Sequence, residues 1–568
     1  MQSLWTINPD GARLNLFYGN TITIPNTIWQ AKPIPGTHKL ICTMAPHHRN
    51  LVGAIGILDR QLGLENPAAL RNITPEIPYV PTTDPRWQPG DRLFYWSYRD
   101  PYPIDRDLFL VSYGGGGPQR YRLYLMDRQG RKAPLWEDAS ISCFNPVPLV
   151  PRRHPHMVSA YDPAEAESGT FLVTDVYRGL TGVRRGAVKQ LRVMSTVPKP
   201  TNNRGARAYY MGHDVVDPVI GAGTFYVKYN YGTVPVEADG SAYFKAPANT
   251  ELYFQALDAE GKELCRMGSL TQLMPGEHQS CIGCHEPRQT APPRRPAAVM
   301  AVRGAAVDIT PPPSGAGPID FARQVQPVLD EYCAECHGGV DPDGGIDLSG
   351  DKTRHFNMAY DNLAQRSLVQ FFYLTPPQEE TGNFRPLKTG SYVSRIVELI
   401  ERKHGEVDVE VDDESRRKLY AWIDANIPYY GTYEHTRPGT SGSRDAWADP
   451  WSKQLGGIFA KHCASCHGGL DMRHNRHSTW INLTHPEYSR VLGAPLAKSA
   501  GGLGLCKAKD GEQPTRFVGK SDPIYSAMLR LITEGSRALQ ANPRIDMPGA
   551  KPAPYQQDFG HLFRGGGR

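Results

Sequence analysis

The sequence predicts a multidomain β-plus-α protein: an incomplete N-terminal β-propeller, a β-sandwich-like middle domain, and two small C-terminal helical domains. Three observations carry that expectation. Short apolar runs separated by turn residues fill the first half of the chain. Apolar residues at helical spacing fill the second half. The pattern Cys-x-x-Cys-His occurs three times, as Cys281-Ile-Gly-Cys284-His285, Cys333-Ala-Glu-Cys336-His337 and Cys463-Ala-Ser-Cys466-His467, and the last two copies each sit in a helical segment.

The motif has a specific chemistry. Two thiols add across the two vinyl groups of one porphyrin, so they must lie about one turn apart, and the adjacent histidine offers its imidazole to the iron. A zinc half-site or a redox dithiol also uses Cys-x-x-Cys, but neither requires a histidine directly after the second cysteine. Three covalent c-type haems are therefore expected, with thioether links at Cys281, Cys284, Cys333, Cys336, Cys463 and Cys466 and proximal ligands His285, His337 and His467. Cys-His-Gly-Gly-Val-Asp and Cys-His-Gly-Gly-Leu-Asp at the second and third copies point to duplicated modules. Cys42, Cys143, Cys265 and Cys506 remain as buried thiols, disulfide partners or metal ligands.

Composition narrows the function class. Among 568 residues, 50 prolines and 56 glycines imply many turns and few long helices. A net charge of +5, without any Lys/Arg run, gives no footprint for nucleic acid. No apolar stretch is long enough to span a membrane, and the first residues lack the basic start and apolar run of a signal peptide. Covalent haem is installed outside the cytoplasm. The expectation is a periplasmic or other extracytoplasmic chain whose true N-terminus lies upstream.

Residues 1–150 read as a partial propeller. Leu4–Ile7 and Leu14–Tyr18 flank an Asn-Pro-Asp-Gly turn, and Leu40–Thr43, Leu93–Trp96, Leu108–Val111 and Tyr121–Leu125 follow as strands, with a hairpin turn at Asp127–Gly130. Residues 151–290 form the β-rich middle domain, with strands at Phe225–Tyr229, Thr233–Val236, Ala242–Phe244 and Leu252–Gln255, and a last loop that delivers the first motif. Residues 291–316 are a Pro-rich linker, extended and partly stiff. Residues 317–432 hold helices around Phe321–Leu329, Val393–Ile400 and a third capped by Asp413-Glu-Ser415 and running through Trp422. A helix before the motif and another near the end is the cytochrome c-like plan. Residues 433–450 are a second linker, and residues 451–568 repeat the plan with helices at Leu455–Phe459, Ile524–Ile532 and Tyr555–Phe563.

A small cytochrome c domain takes its distal ligand from the loop before its last helix. That slot holds Met547 in the third domain, with His485 as alternative, and His404 in the second, with His355 and Met358 as alternatives. Thioether ligation raises a haem's potential relative to imidazole, so the third haem is expected to sit above the second. For the first haem, His47, His48, His213, His278, Met267 and Met274 are far-side candidates that spacing does not separate. Asp341-Pro-Asp343-Gly-Gly-Ile-Asp347 carries alternating acids around glycines, a weak calcium pattern without its terminal glutamate.

With these residues in place, the chain resembles the hydrazine synthase α subunit family of multihaem proteins. The carriers are His47-His48 with Gly53-Ala-Ile-Gly56, Tyr95-Trp-Ser-Tyr-Arg-Asp-Pro101, Gly232-Thr-Val-Pro-Val-Glu237, Gly240-Ser-Ala-Tyr-Phe-Lys245, Trp422-Ile-Asp424 and Pro428-Tyr-Tyr-Gly431. The resemblance implies a propeller, a haem-bearing β middle domain and a helical cytochrome domain. It also implies nitrogen-joining chemistry at the middle-domain haem, where a tyrosine four residues past the motif histidine takes the iron and that histidine turns to zinc. Here that position is Gln289, and the chain carries a third motif beyond the family plan. The sequence reading is therefore an electron-transfer protein with three c haems on this scaffold, working with redox partner proteins and in complex with other subunits. The alternative is an oxidoreductase that binds a small molecule at the first haem. No catalytic residue is identified.

Overall fold

The structure is a computed structural model. It describes residues 3–20, 22, 24–46, 51–77, 96–115, 120–151, 167–198, 220–224, 226–284, 297–372, 384–402, 404, 407, 409–436, 449–468, 470, 477–506 and 516–552. His47, His48, His213, His285, Gln289, residues 93–95 and the Tyr555–Phe563 segment lie outside the described residues.

At the front of the chain, turn-punctuated apolar runs pair with their sequence neighbours. β1 (Leu4–Thr6) and β2 (Asn15–Tyr18) pair antiparallel across the Asn-Pro-Asp-Gly turn. β3 (Thr27–Pro33), β4 (Leu40–Ala45), β5 (Ala54–Leu58) and β6 (Leu70–Asn72) make one four-stranded sheet in chain order. β7 (Tyr98–Pro103), β8 (Leu108–Tyr113), β9 (Arg122–Asp127) and β10 (Lys132–Trp136) make a second. The Asp127–Gly130 turn closes with Gly130 N–H donating to the Asp127 carbonyl at 3.0 Å. Ile41, Met44, Ile55, Tyr98, Phe109 and Val111 from both sheets share one buried core. These are two meander sheets packed side by side, and no closed ring forms among the described residues.

The middle region is a two-layer β structure. β11 (Ser168–Val173) sits between β14 (Ala242–Pro247) and β17 (His278–Cys281). The second layer runs β16 (Glu263–Arg266), β15 (Leu252–Leu257), β12 (Gln190–Thr196), β13 (Lys228–Pro235) and β18 (Gly317–Pro318). Phe171 and Phe244 of the first layer meet Phe254 of the second edge-on at 5.2 and 5.4 Å, which joins the layers. Two strands expected separately before and after Asn230 are one strand. Gly232 keeps β13 continuous at φ +124, where an added Cβ would lie 2.0 Å from the Thr310 carbonyl. That carbonyl belongs to the Pro-rich stretch, which includes a short helical turn at Met300–Arg303 and is stitched to the sheet through Val307 to Phe244, Thr310 to Thr233 and β18.

Helices dominate the rest. A single wide turn, Phe321–Val325, capped by Asp320, runs into α1 (Gln326–Tyr332). α2 (Met358–Gln365), α3 (Arg395–Glu401) and α4 (Asp413–Asp424) follow. Asp412, one residue before the expected cap, accepts from the Glu414 and Ser415 N–H groups. Phe321, Tyr360, Trp422 and Tyr429 are the buried aromatic centre, and Met194 and Val227 from the middle sheets join it. α5 (Pro450–His462) packs on α6 (Pro523–Ala541), which extends nine residues past the expected Ile532 end. Gly535 permits the crossing, since a Cβ there would lie 2.5 Å from the Trp451 indole. No helix among the described residues is long and apolar enough to cross a membrane.

Candidate haem-attachment sites

The second motif is a helical turn at the end of α1. Cys333 N–H donates to Leu329 O and His337 N–H to Cys333 O, both at 2.9 Å. Buried Phe321, Val328 and Leu329 anchor the helix, so the two thiols and the imidazole emerge in fixed directions. His337 Nδ1 lies 3.2 Å from the Ile346 carbonyl. A carbonyl only accepts, so Nδ1 carries the proton and Nε2 presents its lone pair. The His404 ring stands 5.8 Å from the His337 ring, tilted by 51°. Two imidazole–metal bonds of about 2 Å each leave ring centres roughly 6 Å apart. The pair is thus spaced to hold one metal between them. His355 is buried with its ring against Phe356, and Met358 is buried at the start of α2; the histidine that meets His337 is His404.

The third motif is built alike. Cys463 N–H donates to Phe459 O at 2.8 Å and His467 N–H to Cys463 O at 3.1 Å. Its surroundings differ. Trp480 stands edge-on to His467 at 5.4 Å and lies tilted against His477 at 4.2 Å. Met547 and Cys463 pack against the same apolar core of Leu455, Phe459 and Met528. His485, the alternative ligand, is instead ion-paired to Asp351 at 2.8 Å and stacked on Tyr488. Met547 follows a buried ion pair. The Arg544 guanidinium donates to Asp546 at 3.0 and 3.1 Å, and this cation with Lys352 holds the Asp546 carboxyl far below the usual carboxylate range.

The first motif arrives on a strand, where a loop was expected. β17 pairs parallel with β11, and Thr174 N–H donates to the Cys281 carbonyl at 2.9 Å. Edge pairing fixes the thiols here as helix geometry does in the other two. Gly283 fits a tight approach, since a Cβ would meet Arg178 Cβ at 2.5 Å. Cys281 and Cys284 open onto a cavity of about 190 Å³, lined also by Cys265, Met267, Trp5, Leu16 and Leu64. Of the far-side candidates, Met267 lines this cavity. Met274 packs against Gly11, and His278 is exposed and bonded to Thr170 at 2.6 Å. The Asp343–Gly345 segment is a short helical turn, and no group of three or more His, Cys, Asp or Glu among the described residues is arranged for a metal ion.

A second cluster was not legible in the sequence. Arg192 and Arg266 are buried with Asp424 and Glu263 where the middle sheet meets α4. Arg192 donates to Asp424 at 3.0 Å and Arg266 to Glu263 at 2.7 Å, while Gln255 bridges to Glu263 at 2.8 Å. Burial raises Glu263 to about 7 despite both cations. His477 was not singled out, and Cys265 was named without its place at the first cavity, because each gains its neighbours only through tertiary folding.

Fold and sites together define a class: a sheet-built front half that presents one Cys-x-x-Cys-His motif, followed by helical modules that present two more. Residues 186–286 match the family model described as the hydrazine synthase alpha subunit middle domain. The hydrazine synthase subunit alpha of Kuenenia stuttgartiensis is 21% identical over 364 residues, covering 47% of this chain and 44% of that protein. The solved Kuenenia stuttgartiensis hydrazine synthase superposes with a TM-score of 0.55 at 18% identity, covering 76% of this chain and 65% of that one. The chain thus spans less than half the length of the curated relative it matches. Its middle region is similar to that of the hydrazine synthase alpha subunit, and its fold is similar to the solved hydrazine synthase.

Proposed function

We propose that this chain is an extracytoplasmic electron-transfer protein with three covalently attached c-type haems, built on a hydrazine synthase α-like scaffold whose front sheets are part of a β-propeller. The observation that carries the reading is the His337–His404 pair, two imidazoles 5.8 Å apart beside Cys333 and Cys336. Haem iron, when bound, takes up and releases single electrons. The chain's own residues do the rest. Cys281 with Cys284, Cys333 with Cys336, and Cys463 with Cys466 would hold the porphyrins. Ile346 orients His337 through its carbonyl, His404 closes the second site, and Met547 closes the third. His285 would serve the first site. Domain limits at 1–150, 151–290, 317–432 and 451–568, with linkers at 291–316 and 433–450, belong to the same reading. So do redox partner proteins and, since the relative is named a subunit, a complex with other chains. The optical spectrum of the reduced pyridine adduct counts haems. Three per chain is expected; a colourless protein, or zinc in place of porphyrin, overturns the reading.

A second reading is favoured by the cavity at Cys281 and Cys284, which lies against the matched middle domain. There the chain is an oxidoreductase acting on a small, nitrogenous molecule at the first haem. A high-spin fraction that binds nitric oxide is its signature. Three low-spin haems that bind neither CO nor NO remove it.

A further inference from the structure

The segment that carries Met547 belongs to the third helical module by sequence but is anchored in the second. Ile545 packs against the aromatic core of Phe356, Tyr360 and Tyr429, whereas Met547, two residues on, packs against the core of α5 and α6. Arg544 is 2% exposed and spends its guanidinium on the second module. It donates to the Thr353 carbonyl at 2.8 Å and the Arg354 carbonyl at 3.0 Å, and also to Phe356. Asp546 accepts from the Tyr429 hydroxyl at 2.8 Å and lies 3.2 Å from Lys352 Nζ. Met547 N–H donates to Arg544 O at 2.9 Å, so the anchor and the methionine share one tight turn.

The same strip of the second module also receives the other side of the third site. Leu483 N–H donates to Lys352 O, and Lys352 N–H to Thr484 Oγ1, both at 2.8 Å. Asn482 donates to Asp351 at 2.6 Å. These contacts follow directly on Trp480, which faces His467. The strip begins just after Leu348, whose N–H donates to His337 O at 2.6 Å. One continuous segment, residues 346–356, therefore orients His337 at its start and holds the third module at its end.

We infer that the third haem's distal side is assembled on the second module, with Arg544 and Asp546 as positioning residues for Met547. This rests on Met547 being the distal ligand. Thioether–iron bonds in ferric c-type haem are weak and depend on the protein to keep the methionine in place. A buried guanidinium shared among three carbonyls and a carboxylate supplies that constraint, and its loss leaves buried acceptors unmet.

The test uses the full haem-loaded chain and the weak long-wavelength absorption band of thioether-ligated ferric haem. Arg544→Gln and Asp546→Asn are each expected to lose at least half of that band. The haem count stays at three, and the bis-imidazole electron-resonance signal of the second haem is unchanged. Tyr429→Phe, which deletes one hydrogen bond and keeps the packing, is the milder variant should Arg544→Gln fail to fold; it is expected to weaken the band and lower the third potential. A purely structural role would reduce yield or melting temperature and leave the band per haem intact, and that result overturns the inference. A wild-type chain that binds three haems but lacks the band overturns the ligand reading, and this inference with it. A band of wild-type strength in all three variants overturns the inference alone.

Discussion

The second and third helical modules carry the same motif on the same helical turn, yet they are finished differently. In the second, a histidine from the loop after α3 meets His337 ring to ring. In the third, Trp480 stands edge-on to His467, and Met547 packs against the core that Cys463 also touches. Their anchorage differs as well. The second is fastened on two flanks, to the middle sheet through Arg192–Asp424 and to the third through residues 351–356. For the third, the described contacts run to the second module, through that strip and through Gln365 to Ser478 at 2.6 Å and Tyr429 to Asp546 at 2.8 Å. The repeated motif sets where two thiols and an imidazole emerge. What stands near that imidazole comes from segments outside the repeated frame, and there the two modules differ.

The comparison is broken most severely by deleting one attachment pair. Cys333→Ala with Cys336→Ala is expected to remove one third of the covalent haem, read from the pyridine adduct, and Cys463→Ala with Cys466→Ala another third. Equal residual haem in both double variants and wild type would dissolve the comparison altogether. Next in size is an exchange of far-side groups. In wild type the third haem is expected to titrate at the higher potential. His404→Met should raise the second by about 0.1 V or more, a part of the roughly 0.8 V that axial ligands span. A redox titration with the order reversed in wild type contradicts the ligand assignment.

The difference in anchorage gives the next effect. Arg192→Met takes from buried Asp424 the guanidinium that meets it at 3.0 Å, leaving the Ser391 N–H as its near donor, which costs about 3–5 kcal/mol. Hydrogen exchange should report loosening of α4 and β12 with little change in α6. The smallest effect is a pH slope. Glu263 faces Arg192, Arg266 and Asp424 and is raised from 4.5 to about 7, so the folded state binds a proton that the unfolded state releases. Stability from this group is full below pH 4.5 and falls as pH rises to 7, on the order of 3 kcal/mol in all. Glu263→Gln should flatten that slope in thermal melts taken between pH 5 and pH 8; an unchanged slope assigns it elsewhere.

Much of this was readable before folding. The helices around the second and third motifs follow from apolar spacing, and the hairpin at Asp127–Gly130 from its turn residues. What was misread depends on contacts between distant residues. The first motif sits on a strand because β11, more than a hundred residues earlier, pairs with it. α6 continues past Ile532 because Gly535, which reads as a helix breaker, meets Trp451 across the crossing. His404 could be nominated by position, but its tilted approach to His337 is a property of the folded loop. The four buried charges around Gln255 are unremarkable as sequence, since a lone arginine on a strand gives no sign of its partner 232 residues away.

The Pro-rich stretch before α1 has a consequence for kinetics. Because it is laced to β13 and β14 by Val307, Thr310 and β18, the span between the front cavity and the first helical motif has a set length. If charge crosses that span, it does so without a diffusive search by tethered bodies. Thickening the solvent with glycerol should then leave the internal transfer rate where it was, while slowing encounters with outside partners.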